Sequence, residues 1–129
     1  QAAREHLAQT IPTPEIIAPS ALVWTPTRRW DLVMTKGLLI HIQPEHLQEL
    51  YRKIYEASRR WILLAEYYCP SPRMIPYRGH DNLLWARDFA GEMMDIYPDL
   101  KLIDYGFVYH RDPLAPQDDL TWFGMEKKQ

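Results

Sequence analysis

Three segments in series restrict this chain more than anything else in it. Leu32-Val33-Met34 is apolar without a break, as expected for a strand buried on both faces of a sheet. Gln43-Pro44-Glu45 then opens a helix, because proline suits the first helical position and glutamate the positive helix start. Leu47, Leu50, Tyr51, Ile54 and Tyr55 follow at helical spacing and form one apolar face, with Arg59 and Arg60 at the expected C-terminal end. Trp61 to Tyr68 is a second apolar strand. Strand, helix and strand in this order predict a β-α-β unit whose two strands pair in parallel.

Beyond this unit, Cys69 to His80 reads as an irregular loop carrying Pro70, Pro72 and Pro76. Leu83 to Tyr97 contains a second helix that ends at Pro98-Asp99. Leu100 to His110 reads as a strand with Ile103, Tyr105, Phe107 and Tyr109 on one face, and Leu120 to Glu126 as a final strand paired antiparallel to it. Upstream, Ala2 to Gln9 favours a short helix that Pro12 and Pro14 stop. The expectation is one α/β domain over residues 1–129: two parallel strands, a C-terminal antiparallel hairpin and flanking helices.

A formal charge of −2 over 129 residues gives no electrostatic reason to bind nucleic acid or an anionic membrane. No apolar run approaches the roughly 20 residues of a membrane helix, and no signal-peptide pattern is visible. The single Cys69 excludes an internal disulfide, so a reducing cytoplasm fits best. His6, His41, His46, His80 and His110 show no metal-ligand spacing, and no metal is expected. The chain opens on Gln1 rather than methionine, which fits a processed start or part of a longer product.

Asp31-Leu32-Val33, a short polar break and Leu38-Leu39-Ile40-His41-Ile42 resemble the central strand region of class I S-adenosylmethionine (SAM) methyltransferases. The element order resembles the C-terminal half of that Rossmann-like fold. A narrower resemblance runs through Ala65-Glu66-Tyr67-Tyr68, Pro76 to His80, Arg87 to Glu92, Asp104 to Asp112 and Asp118 to Phe123. These polar-aromatic motifs are similar to the methylases associated with pseudaminic acid biosynthesis. The resemblance implies SAM as cofactor and a small, sugar-acid-like molecule as methyl acceptor.

It also marks what the sequence does not carry. Gly37, Gly79, Gly91, Gly106 and Gly124 are the five glycines and none is close to another, so the family's Gly-rich cofactor loop has no counterpart. Nor has its ribose-holding acid. What the resemblance leaves for SAM is Ser20 and Ala21 on the adenine side, with Thr35, Lys36 and Gly37 near the methionine end. Each missing hydrogen bond is worth about 0.5–1.5 kcal/mol, so SAM binding is expected to be weak or to depend on a partner surface. A sheet ending at the Leu32 strand would expose an apolar edge, and a homodimer is the expected remedy.

His41 follows the central strand, where this fold places ligands, and is the candidate catalytic residue, to orient substrate or accept a proton. Its bland alternative is a helix-start histidine bonded to backbone. Lys36 faces an anionic ligand or is a solvated loop lysine. Glu66, Tyr67 and Tyr68 end the second strand on the ligand side and are candidate substrate contacts; core packing is the alternative. Arg73, Tyr77, Arg78 and His80 suit the clamping of a carboxylate, and Tyr109 and His110 would complete such a site; local ion pairs are the alternative. Three functions follow: a minimal or truncated SAM-dependent methyltransferase, a non-catalytic remnant of one, or an acidic-sugar binding module.

Overall fold

The structure, a computed structural model, describes residues 20–77 and 80–128, without the side chains of residues 77 and 80–83; the helix expected at Ala2–Gln9 lies outside them. In chain order the described elements are β1 (Trp30–Lys36), α1 (Pro44–Ala57), β2 (Ser58–Glu66), β3 (Arg73–Tyr77), β4 (His80–Ala86), α2 (Phe89–Ile96), β5 (Leu100–Val108) and β6 (Leu120–Lys127), with a single 3-10 turn at Leu39–His41. Four strands form one sheet in the order β1-β2-β6-β5, and β3 and β4 form a separate hairpin. β1 and β2 are parallel, and β6 runs antiparallel to both β2 and β5. The expected parallel pair and C-terminal antiparallel pair are therefore present, with β6 inserted between β2 and β5.

Helix α1 forms as its sequence dictates. Gln43 is the extended N-cap, Pro44 stands in the first turn with Glu45, and Leu47, Leu50, Tyr51 and Ile54 are buried along one stripe. It ends at Ala57, so Arg59 and Arg60 belong to β2 rather than to the helix terminus. The cation at the helix end is instead Lys127, whose Nζ donates to the carbonyls of Tyr55 and Ser58 at 2.9 and 2.8 Å. Helix α2 is shorter than the sequence suggests. Asp88 caps it, accepting from the Gly91 N–H at 3.0 Å, and Leu83 to Ala86 belongs to β4. The segment expected to be an irregular loop before it thus holds the β3–β4 hairpin, register-shifted near Pro76, which lacks the N–H a ladder needs.

One face of the sheet carries the core. Ile62 and Leu64 of β2 and Met125 of β6 pack there with Leu47, Leu50, Tyr51 and Ile54 of α1 and Phe89, Ala90 and Met93 of α2. Tyr51 ties the two helices together, its hydroxyl donating to Glu92 at 2.7 Å, while Arg87 pairs with the other Glu92 oxygen at 2.9 Å. The opposite face carries Leu32, Met34, Leu63 and Trp122, and no described helix covers it. Leu32 and Met34 are 47% and 52% exposed, which corrects the reading of β1 as buried on both sides. A bulge between Leu102 and Asp104 also breaks the expected alternation of β5. Tyr105 pairs with Phe123 on the helix face, whereas Ile103 approaches the Gly124 position on the uncovered one.

Candidate functional site

Because β1, β2 and β5 run the same way, their carboxyl ends meet at one edge of the sheet, joined there by the start of β6. In open α/β sheets this is the ligand-binding edge. Thr35, Lys36 and Gly37 arrive from β1, Glu66, Tyr67 and Tyr68 from β2, and Tyr109 and His110 from β5. Eight of the residues singled out in the sequence are brought together this way, with His41 one short turn beyond Gly37.

The connection from β5 to β6 folds across this edge, tied to the ends of β1 and β2 at two points and closed on itself at a third. Lys36 Nζ donates to Gln117 at 2.7 Å, the Tyr67 hydroxyl donates to Asp118, and His110 Nδ1 meets Asp119 at 3.0 Å. The Asp119 carboxylate also accepts the His110 N–H at 2.9 Å, and His110 holds its carboxyl below the usual range. Sequence reasoning did not single out Gln117, Asp118 or Asp119 as site residues. Only the return of β6 beside β2 brings them opposite Lys36 and Tyr67, 81 and 51 positions away.

Glu66 is the buried centre of the site, 3% exposed. Its carboxylate accepts from the Thr35 hydroxyl at 2.7 Å and from the N–H groups of Leu38 and Ile40 at 3.2 Å each. Burial pushes its carboxyl above the usual range, and the Thr35 and loop donors pull it partly back. Both oxygens are taken up by donors of the protein, so Glu66 stands behind the site surface rather than at it. Gly37, on the surface, has φ +62° and open space where a Cβ would stand, and its N–H is held by the Ala65 carbonyl at 2.9 Å. Tyr68 is half exposed beside Phe123, with ring centroids 5.8 Å apart. On the uncovered face a cleft of about 370 Å³ opens at the Lys36–Gln117 bridge, floored by Leu63, Val108, Leu120 and Trp122. That volume lies in the range of small-molecule sites.

The other candidates are placed differently. His41 is exposed at the end of the 3-10 turn, and Arg73 is exposed at the base of the β3–β4 hairpin. Arg73 pairs with Ala86, next to the Arg87 N–H that reaches the Tyr67 carbonyl at 3.3 Å, so the hairpin springs from the site edge. Tyr77 and His80 stand at the far end of that hairpin, roughly 13 Å along the strand from Arg73. Their side chains, and Arg78 entirely, lie outside the described residues. Ser20 and Ala21 are not gathered with the rest. They open a turn whose Leu22 carbonyl accepts from Lys53, late in α1 and toward the amino end of the sheet.

No protein-family model matches the chain, and no curated protein matches its sequence. Solved structures do match. A 1,6-didemethyltoxoflavin-N1-methyltransferase of Burkholderia thailandensis, with S-adenosylhomocysteine bound, aligns with a TM-score of 0.67 and 14% identity over 88% of this chain. A SAM-dependent methyltransferase of Leishmania major aligns at 0.65 and 14% over 95%. The chain has the fold of part of these class I methyltransferases. A glycopeptide N-methyltransferase complexed with S-adenosylhomocysteine gives 0.57 and 12% over 98% of the chain. The chain spans 50% of the length of each of the first two.

Proposed function

We propose that this chain acts in SAM-dependent methyl transfer to a small acceptor, and that the edge around Thr35-Lys36-Gly37 takes the methionine end of SAM. The observation that carries this reading is the sheet itself: β1 and β2 parallel, β6 reversed between β2 and β5, and eight of the candidate residues, from Thr35 to His110, at one edge. The residues fit that part of the cofactor. Gly37 leaves its surroundings open to close approach, and Lys36 offers a cation beside an apolar cleft. Gly37 has no second glycine near it in sequence, and on this reading affinity for SAM is weak or completed by another surface.

The cofactor supplies an electrophilic methyl group, and transfer then depends on holding the acceptor in line with it. This chain's share is positioning. Tyr68 and Phe123 give an aromatic wall on the helix face, and the β5–β6 connection crosses the edge, held there by Lys36 and Tyr67. His41 stands within the same loop as the residue to orient an acceptor or take its proton. The polar-aromatic motifs and the exposed Arg73 support an acidic sugar as acceptor, with the arginine meeting its carboxylate. The uncovered face with Leu32 and Met34 supports a homodimer.

Calorimetric titration of the purified chain with SAM and with S-adenosylhomocysteine tests the reading. Saturable one-to-one binding is expected, weaker than low micromolar for the isolated chain. Absence of any binding at millimolar SAM would make the chain a folded remnant without cofactor function.

A further inference from the structure

The turn that follows β1 is held from beneath by one side chain. Glu66 Oε2 accepts from Thr35, the second-last residue of β1, and from Leu38, the residue that opens the 3-10 turn; Oε1 accepts from Ile40 within that turn. Lys36 and Gly37 lie between the first two anchors. Gly37 is pinned in addition by the Ala65 carbonyl, from the residue beside Glu66. We propose that Glu66 is a positioning residue for the cofactor edge, setting the height and direction of the Lys36-Gly37 backbone through Thr35, Leu38 and Ile40. This rests on the reading of that edge as the place of the methionine end of SAM.

The carboxylate is chemically suited to this task and its amide is not. An ionised carboxylate presents acceptors on both oxygens, and here all three partners are donors that converge on it. A glutamine of the same shape accepts on one oxygen and turns N–H groups toward the other partners. Placed with its oxygen toward Ile40, it would set an N–H against the Leu38 N–H. Placed the other way, it would clash with the Ile40 N–H. Either arrangement frees part of the turn while leaving β2, whose core contacts come from Ile62 and Leu64, in place.

The test compares wild type, Glu66→Gln and Thr35→Val in two measurements: calorimetric titration with S-adenosylhomocysteine, and hydrogen exchange read by residue. Glu66→Gln is expected to speed exchange at Leu38 and Ile40 while Ile62 and Met125 stay protected. Its affinity is expected to fall roughly three- to tenfold, the equivalent of about one hydrogen bond. Thr35→Val, which keeps the carboxylate, is expected to show a smaller fall in the same direction, and it carries the test if Glu66→Gln does not fold. Faster exchange at Leu38 and Ile40 with unchanged affinity would overturn the proposal, because a merely structural anchor gives that result. If wild type itself does not bind, the cofactor reading fails and the positioning role with it. The exchange data then show separately whether Glu66 holds the turn.

Discussion

Gly106 provides a sharp test of the packing on the uncovered face. An added Cβ there would stand 2.7 Å from the Trp122 Nε1 and 2.8 Å from both its Cε2 and Cζ2. Contacts this short with a rigid indole force either the ring or the strand to move, at a cost of about 1–3 kcal/mol. The backbone itself does not require glycine at this position, so the same substitution removed from its clash should stabilise by about 0.4–1 kcal/mol, by restricting the unfolded chain. The sign of the effect therefore depends on Trp122. Gly106→Ala in the wild-type chain is expected to lower the unfolding free energy measured in urea. Gly106→Ala in a Trp122→Ala background is expected to leave it unchanged or raise it. The coupling between the two positions would then exceed about 1 kcal/mol, which a double-mutant cycle resolves. Near-ultraviolet circular dichroism should report a changed indole environment only in the first case. An equal effect of Gly106→Ala in both backgrounds would refute the arrangement of β5 against β6 described here.

Other outcomes follow from single contacts. Met125→Ala removes a fully buried side chain from the centre of the sheet and is expected to destabilise by about 2–5 kcal/mol in denaturant unfolding. Because burial raises the Glu66 carboxyl in the folded chain above its ordinary value of 4.5, the fold takes up a proton that the unfolded chain releases. Stability gained from that proton is present at acid pH and lost as pH rises through the folded value. Wild type should therefore lose stability relative to Glu66→Gln as pH rises above 4.5, by urea unfolding at matched ionic strength; a constant difference would contradict the placement of Glu66. Tyr67, Tyr68 and Arg87 line the same gap beside it, and Arg87 is already paired with Glu92. For the proposed homodimer, Leu32→Lys with Met34→Lys should shift sedimentation toward monomer without unfolding the chain, since both side chains are about half exposed.

Local sequence determined the elements whose signals are local. Pro44 and the Leu47-Leu50-Tyr51-Ile54 stripe fixed α1, the apolar runs at Leu32 and Ile62 fixed a parallel pair, and the last two strands read as an antiparallel pair. The β3–β4 hairpin was not legible, because Pro70, Pro72 and Pro76 read as loop and nothing local shows that Leu84 can bury itself beside the 3-10 turn. Nor could the sequence distinguish a strand buried on both faces from one buried on a single face. Leu32-Val33-Met34 is apolar either way, and only the placement of helices on one side of the sheet decides it. The site divides in the same manner. Thr35 to Gly37, Glu66 to Tyr68 and Tyr109-His110 were visible as strand ends, since an α/β sheet presents its ligands there. The partners of those residues were not. Gln117 and Asp118 reach Lys36 and Tyr67 only because β6 returns beside β2, and Asp119 reaches His110 where β5 and β6 pair. Glu66 looks like the polar end of a strand until Thr35 and the Leu38 and Ile40 amides close around it. Which residues carry polar groups is a property of the sequence, but which of those groups are already satisfied depends on contacts between distant segments that only the folded chain makes.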